Sequence, residues 1–179
     1  ISRPHYACQD RQPVICRAAG RLTASDGQTS YQSENQEGGY NVILLKDNQL
    51  PAMTNPGDIA KVCQDLLKAD DKIDQDKERM YVFHLNVRNK IKLVELVSLG
   101  TLDGSMIHPR EIYTRAVGER TAHIIVAHNH PSGNLDPSEA DIIVARRLVE
   151  AGKIIGIKLV DHILFTDKGF TSFKEKGLI

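Results

Sequence analysis

Three cysteines, Cys8, Cys16 and Cys63, are all that the 179 residues provide, and none forms a CxxC pair. That excludes a disulfide framework and a zinc knuckle, and the three are read as free thiols. Net charge is also missing: Lys plus Arg and Asp plus Glu both total 23. A dedicated polyanion binder needs a clustered excess of Lys and Arg, so this balance argues against that class. No apolar run approaches the roughly 18 residues that span a bilayer, and the N-terminus has no signal-peptide hydrophobic core. A cytoplasmic location without membrane contact is the resulting expectation, and no internal repeat is visible.

Hydrophobic residues make up 41% and charged residues 26%, which suits a globular chain with room for one domain and its core. Residues 1–40 stand apart. They hold Pro4, Pro13, Gly20, Gly27, Gly38 and Gly39 among many Ser, Gln and Asn, with only Ile1, Val14, Ile15 and Leu22 as large aliphatics. Such a segment cannot bury enough apolar area to offset its ordering entropy, so a disordered or loosely docked extension is expected. His5 lies near Cys8 and Cys16, but their spacing fits no standard metal site. Residues 41–55 are expected to hold a short strand, near 40–45, and a linker.

From there strands and helices alternate. Asn55 is a helix N-cap with Pro56 at the first helical position, and Ile59, Val62, Cys63, Leu66 and Leu67 form one apolar face. After a charged connector at 70–77, residues 80–86 and 91–98 read as two strands of a hairpin turned at Arg88, Asn89 and Lys90. Residues 100–104 are a turn, and His108 and Pro109 open a helix carrying Ile112, Ala116 and Val117. A buried strand follows at 122–128, then a helix from Ser138 with Ile142, Ala145, Leu148 and Val149, ending at Gly152 as C-cap. Residues 154–166 are a last strand region interrupted at Gly156, with Phe170 and Phe173 packing the C-terminus onto the core. The alternation predicts an α/β sandwich with a mixed sheet.

The chemistry concentrates where strand 122–128 ends. His128-Asn129-His130-Pro131 leads into a loop rich in Ser, Gly, Asn and Asp, then Ser138 as N-cap and Asp141 three residues on. Two imidazoles at a strand end and a carboxylate in the first helical turn can converge on one point. Zn²⁺ accepts both ligand types, and three protein ligands leave a fourth position for water, as catalytic zinc requires. A His-x-His pair by itself carries less, since strand-end histidines often only hydrogen-bond the backbone.

The string His128-x-His130-Pro131, six residues, then Ser138-x-x-Asp141 resembles the JAMM zinc signature of MPN (JAB) domains. With Gly100-Thr101-Leu102, His108-Pro109-Arg110-Glu111 and Asp161-His162, the likeness narrows to the RadC-type branch of that fold and covers residues 56–179. The resemblance implies an α-β-α, cytidine-deaminase-like architecture and a zinc-dependent hydrolase of the metallopeptidase type. It implies one Zn²⁺ per chain held by His128, His130 and Asp141, with water attacking a peptide or isopeptide-like amide of unknown substrate. It also singles out Glu78, 50 residues before His128, as the general base, a role that residue type alone would leave open to Glu95 and Glu111. Ser138 has two compatible roles, N-cap and hydrogen-bond donor near the water or the developing oxyanion. Asp161-His162 is either support for the metal ligands or a satisfied core pair. Arg110 and Glu111 either orient a substrate or fix a helix start, while His84, His108 and His123 are read as structural.

The alternative is a non-enzymatic MPN module that binds a protein partner or DNA, in line with an old attribution of RadC-type proteins to repair. Lys77, Arg79, Arg88, Lys90 and Lys92 are the candidate basic patch. Residues 1–40 show nothing like the helix-hairpin-helix region that precedes the zinc domain in longer RadC-type proteins, which lowers the expectation of DNA binding. A zinc deaminase would need His-x-Glu with Pro-Cys-x-x-Cys, which the sequence lacks. An HNH nuclease spreads its histidines over a longer motif.

Overall fold

The computed structural model describes residues 32–35, 41–44, 55–68, 77–99 and 107–179. Their strands form one seven-stranded sheet: β1 (Gln32–Asn35), β2 (Asn41–Leu44), β3 (Arg79–Leu85), β4 (Ile91–Leu99), β5 (His123–Asn129), β6 (Lys158–Phe165) and β7 (Phe170–Ser172). The spatial order is β1-β2-β4-β3-β5-β6-β7. Only β5 and β6 run parallel and every other neighbouring pair is antiparallel, so the sheet is mixed as expected. Strand β1 lies within the stretch expected to be an extension, and it pairs with β2 at the sheet edge. The rest of that extension with Cys8 and Cys16, the connector at 70–76 and the turn at 100–104 lie outside the described residues.

Helix α1 (Pro56–Lys68) opens with a reciprocal cap. The Asn55 side chain accepts from the Asp58 amide at 3.1 Å, and the Asp58 carboxylate accepts from the Asn55 amide at 3.2 Å. Its buried Ile59, Val62, Cys63 and Leu66 pack on Tyr81, Phe83, Ile125, Ala127, Ile163 and Phe165. Helices α2 (Pro109–Gly118) and α3 (Glu139–Ile155) cover the opposite face, on Met80, Val82, Ile124, Val126 and Leu159. Covering both faces explains the unbroken apolar runs of β3 and β5, because alternate residues enter two separate cores. The result is an α-β-α sandwich.

The hairpin turn forms where Asn86 accepts from the amides of Arg88 at 2.8 Å and Lys90 at 3.1 Å. Asn89 takes φ 57°, which asparagine tolerates better than most residues. Two helix details differ from the sequence reading. On α2, Val117 is 55% exposed and the buried face is Ile112, Tyr113 and Ala116. Helix α3 runs past Gly152 to Gly156, which caps it in the left-handed region at φ 81°. Residues 154 and 155 therefore belong to the helix, and β6 begins only at Lys158. At the C-terminus Phe173 is fully buried as expected, whereas Phe170 stays 39% exposed.

Gly152 is there for close approach. A Cβ at that position would meet the Ile157 carbonyl oxygen at 2.5 Å and the Tyr113 hydroxyl at 2.6 Å. That hydroxyl donates to the Leu148 carbonyl at 2.9 Å and fastens α2 to α3. Gly152→Ala is expected to destabilise the fold by about 1–3 kcal/mol in urea unfolding, through overpacking. Gly118→Ala, whose Cβ meets nothing within 4 Å, is the control and should change stability little; equal losses for the two would refute the close-approach argument.

Candidate metal centre

Strand β5 delivers His128 on the face that carries Ile124 and Val126, beneath the start of α3. The next side chain on that face is His130, just beyond the strand, where its amide donates to the Phe165 carbonyl at 3.2 Å. Helix α3 contributes Asp141 from its first turn. Its N-terminus is a capping box: the Ser138 hydroxyl oxygen accepts from the Asp141 amide at 3.1 Å, and the Asp141 carboxylate accepts from the Ser138 amide at 2.8 Å. The Ser138 hydroxyl also donates to that carboxylate at 2.6 Å.

His128 Nε2 lies 3.3 Å from His130 Nε2 and 3.3 Å from Asp141 Oδ1, and His130 Nε2 lies 3.5 Å from Asp141 Oδ2. A tetrahedral zinc site with bonds of about 2.0–2.1 Å has edges of about 3.3–3.4 Å between ligand atoms. The two nitrogens stand at that separation, and each lies close to it from a different oxygen of the Asp141 carboxylate, so the donor set suits a cation of zinc's size. His128, His130 and Asp141 are 7%, 15% and 20% exposed at their side chains, so the cluster opens to solvent on the His130 and Asp141 side.

The outer nitrogens decide which inner ones are free. The His130 Nδ1 sits 3.1 Å from the Asn134 carbonyl, which can only accept, so Nδ1 carries a hydrogen and Nε2 is the nitrogen turned toward the cluster. His128 Nδ1 is 2.8 Å from His162 Nε2. Burial, with the charge of His128 beside it, pushes the His162 pKa well below the ordinary imidazole value, so this ring is neutral and can accept. Its Nδ1 is buried without a hydrogen-bond partner, and its ring stacks on Phe173 with centroids 4.4 Å apart. Burial alone would raise the Asp141 pKa, but hydrogen bonds with His128 and His130, the charge of His128 and the Ser138 hydroxyl bring it far below the carboxylate range. The hydrogen bond to Asp141 raises the pKa of His130; burial opposes this, and the charges of Asp141 and Glu78 add to the rise.

The RadC-like JAB domain family matches residues 53–178. The chain belongs to the RadC family. A UPF0758 protein of Desulforamulus reducens is 46% identical over 113 residues, 63% of this chain and 50% of the relative. One from Caldanaerobacter subterraneus is 39% identical over 139 residues, 78% of the chain and 58% of the relative. One from Methanosarcina mazei is 42% identical over 106 residues, 59% of the chain and 46% of the relative. The chain thus spans about half the length of the curated relatives it matches.

Within this RadC-like JAB domain, Glu78 lies just ahead of β3, half-buried. Met80 pairs with His128, so continuing that register brings Glu78 level with His130, whose pKa its charge raises. The Asp161-His162 pair divides in two. His162 touches His128, while Asp161 accepts from the Ser172 hydroxyl at 2.6 Å and the Lys174 amide at 3.0 Å and so secures the C-terminal turn. His108 caps α2 by accepting from the Arg110 amide at 3.2 Å, and Arg110 pairs with Glu111 at 2.9 Å on the surface. His84 is buried between Glu95 and Thr121 at 3.2 Å from each. Of the suggested basic patch, Arg79 is buried and Lys92 donates to the Glu119 carbonyl, whereas Arg88 and Lys90 are exposed. Sequence reasoning gave no role to Asn129, which it met only as part of the His128–Gly133 string, or to the Asn134 carbonyl, which no residue type announces.

Two outcomes follow from this geometry. His162→Leu should weaken zinc binding about 10- to 100-fold in competition with a chelating indicator. Asp161→Asn should leave that affinity near wild type and cost about 1–3 kcal/mol of stability, and the reverse pattern would refute the division of the pair. Zinc binding at this cluster would require Nε2 of His130 to be free of its proton, and the pKa of His130 is raised above 6.5. Zinc affinity should therefore start to fall above pH 6.5 as the solution is acidified. Titration calorimetry from about pH 8 to pH 5 checks this, and a flat profile refutes it.

Proposed function

We propose that this RadC-like JAB domain is a zinc-dependent hydrolase of the JAMM metallopeptidase type, acting on a peptide or isopeptide-like amide bond. The observation that carries the reading is the clustering of His128 Nε2, His130 Nε2 and the Asp141 carboxylate, 3.3–3.5 Å apart and open to solvent on one side. Those three residues hold the ion. Zinc bound there supplies Lewis acidity toward a carbonyl and brings the pKa of water down to about 7.

The chain supplies the remaining functions. The Glu78 carboxylate takes the proton of the attacking water and returns it to the leaving amine, which needs an acceptor beside the ligands but outside their set. His162 and the Asn134 carbonyl keep both Nε2 atoms turned inward. Ser138 first holds Asp141 in place, its hydroxyl directed onto the carboxylate at 2.6 Å. Rotation about its side-chain bonds would turn that hydroxyl toward a developing oxyanion, where one donor contributes about 3 kcal/mol.

Metal content by mass spectrometry, followed by a panel of amide substrates, tests the reading. Wild type should carry about one zinc per chain, Asp141→Ala should lose it and Glu78→Gln should keep it. On any amide that wild type cleaves, Glu78→Gln should be slower by about 10²- to 10⁴-fold. Wild-type protein that takes up no zinc from metal-replete medium would overturn the proposal.

A further inference from the structure

Asn129 is polar, 1% exposed and placed between the two histidines, yet it takes no part in the ligand set. Alternation along β5 turns it away from them, to the α1 side of the sheet. Its amide reaches across to the segment before β3. Asn129 Oδ1 accepts from the Arg79 amide at 2.7 Å, and Asn129 Nδ2 donates to the Lys77 carbonyl at 3.0 Å. Those two backbone groups flank Glu78.

The side chain thereby does what a backbone would do. A partner strand offers one C=O and one N–H to its neighbour, and the carboxamide of Asn129 presents the same pair at the point where β5 leaves the sheet. The ladder between β3 and β5 ends at the Met80 and His128 pair, so without Asn129 nothing in that ladder would hold residues 77–79 beside His130. A buried polar amide with both ends satisfied also defines one arrangement of the segment, since breaking either bond would strand a donor or an acceptor. Aspartate would lose the donor, serine and threonine are too short to bridge both groups, and glutamine is a methylene too long.

We infer that Asn129 is a positioning residue: its side-chain amide clamps the backbone on both sides of Glu78 and so places the Glu78 carboxylate at the His128, His130 and Asp141 centre. This rests on the reading of Glu78 as the proton acceptor, and it ties the acceptor to the same three-residue stretch that supplies two ligands. Any movement of the β5 end then carries base and ligands together.

The test uses the full chain loaded with Co²⁺ and ¹³C-labelled at glutamate carboxyls, the Glu78 signal being assigned by its loss in Glu78→Gln. Paramagnetic displacement of that signal reports how close the carboxylate stands to the ion, independently of activity. Wild type should bind one Co²⁺ per chain with Glu78 the most displaced glutamate. Asn129→Ala and Asn129→Thr should keep Co²⁺ and the fold, checked by circular dichroism, while the Glu78 displacement collapses toward that of surface glutamates. Retention of the wild-type displacement in both variants would overturn the clamp and leave Glu78 as base intact. An undisplaced Glu78 in Co²⁺-loaded wild type would overturn the base assignment and the clamp with it. Loss of fold or of Co²⁺ binding in both variants would show Asn129 to be part of the scaffold and refute the inference.

Discussion

The site depends on one side chain performing two tasks. The Asp141 carboxylate closes the N-terminus of α3 against Ser138 and also faces the two inner histidine nitrogens. A carboxylate in the first turn is favoured by the helix dipole and by the unpaired amides there, so helix formation itself draws Asp141 into its ionised state. The carboxylate is therefore charged and held in place by the fold itself. The loop between β5 and α3 has to be short and well fastened for this to work. It is held by the turn bond from the Gly133 amide to the His130 carbonyl and by the Thr171 hydroxyl on the Leu135 carbonyl at 2.8 Å.

The sandwich supplies the rigidity. Because β5 lies inside the sheet, paired with β3 on one side and β6 on the other, its end cannot shift without breaking two ladders. Its alternate residues are packed under α1 and under α2 and α3, so His128 and Asn129 leave the strand in opposite, fixed directions. His128 and His130 sit at the carboxyl end of a strand that feeds a helix and returns parallel, a crevice that open α/β sheets use repeatedly for binding. The parallel return places His162 next to His128, which no local feature of β6 requires.

Much of this was legible beforehand for identifiable reasons. Helix α1 could be read from Asn55, Pro56 and its apolar spacing, and the β3–β4 hairpin from two β-rich runs around Asn89, because each rests on contacts within a few residues. The end of α3 was misplaced because a glycine near a helix end has two meanings, left-handed cap or close approach. Only the neighbouring Tyr113 and Ile157 show that Gly152 has the second. The exposure of Val117 has the same origin: which side of α2 is buried depends on where α3 crosses it.

Taken by itself, the sequence determined the elements from α1 to β6, the mixed α/β class and the spacing His128-x-His130 followed by Ser138 and Asp141. These follow from backbone propensity, side-chain period and local capping, all of which act over three to four residues. Tertiary structure alone decided that His128, His130 and Asp141 cluster, that His162 rather than Asp161 contacts His128, and that Asn129 grips both sides of Glu78. The contacts of His162 and Asn129 join residues separated by 34 to 52 positions. Their geometry is set by strand register and helix crossing, which no short-range pattern encodes.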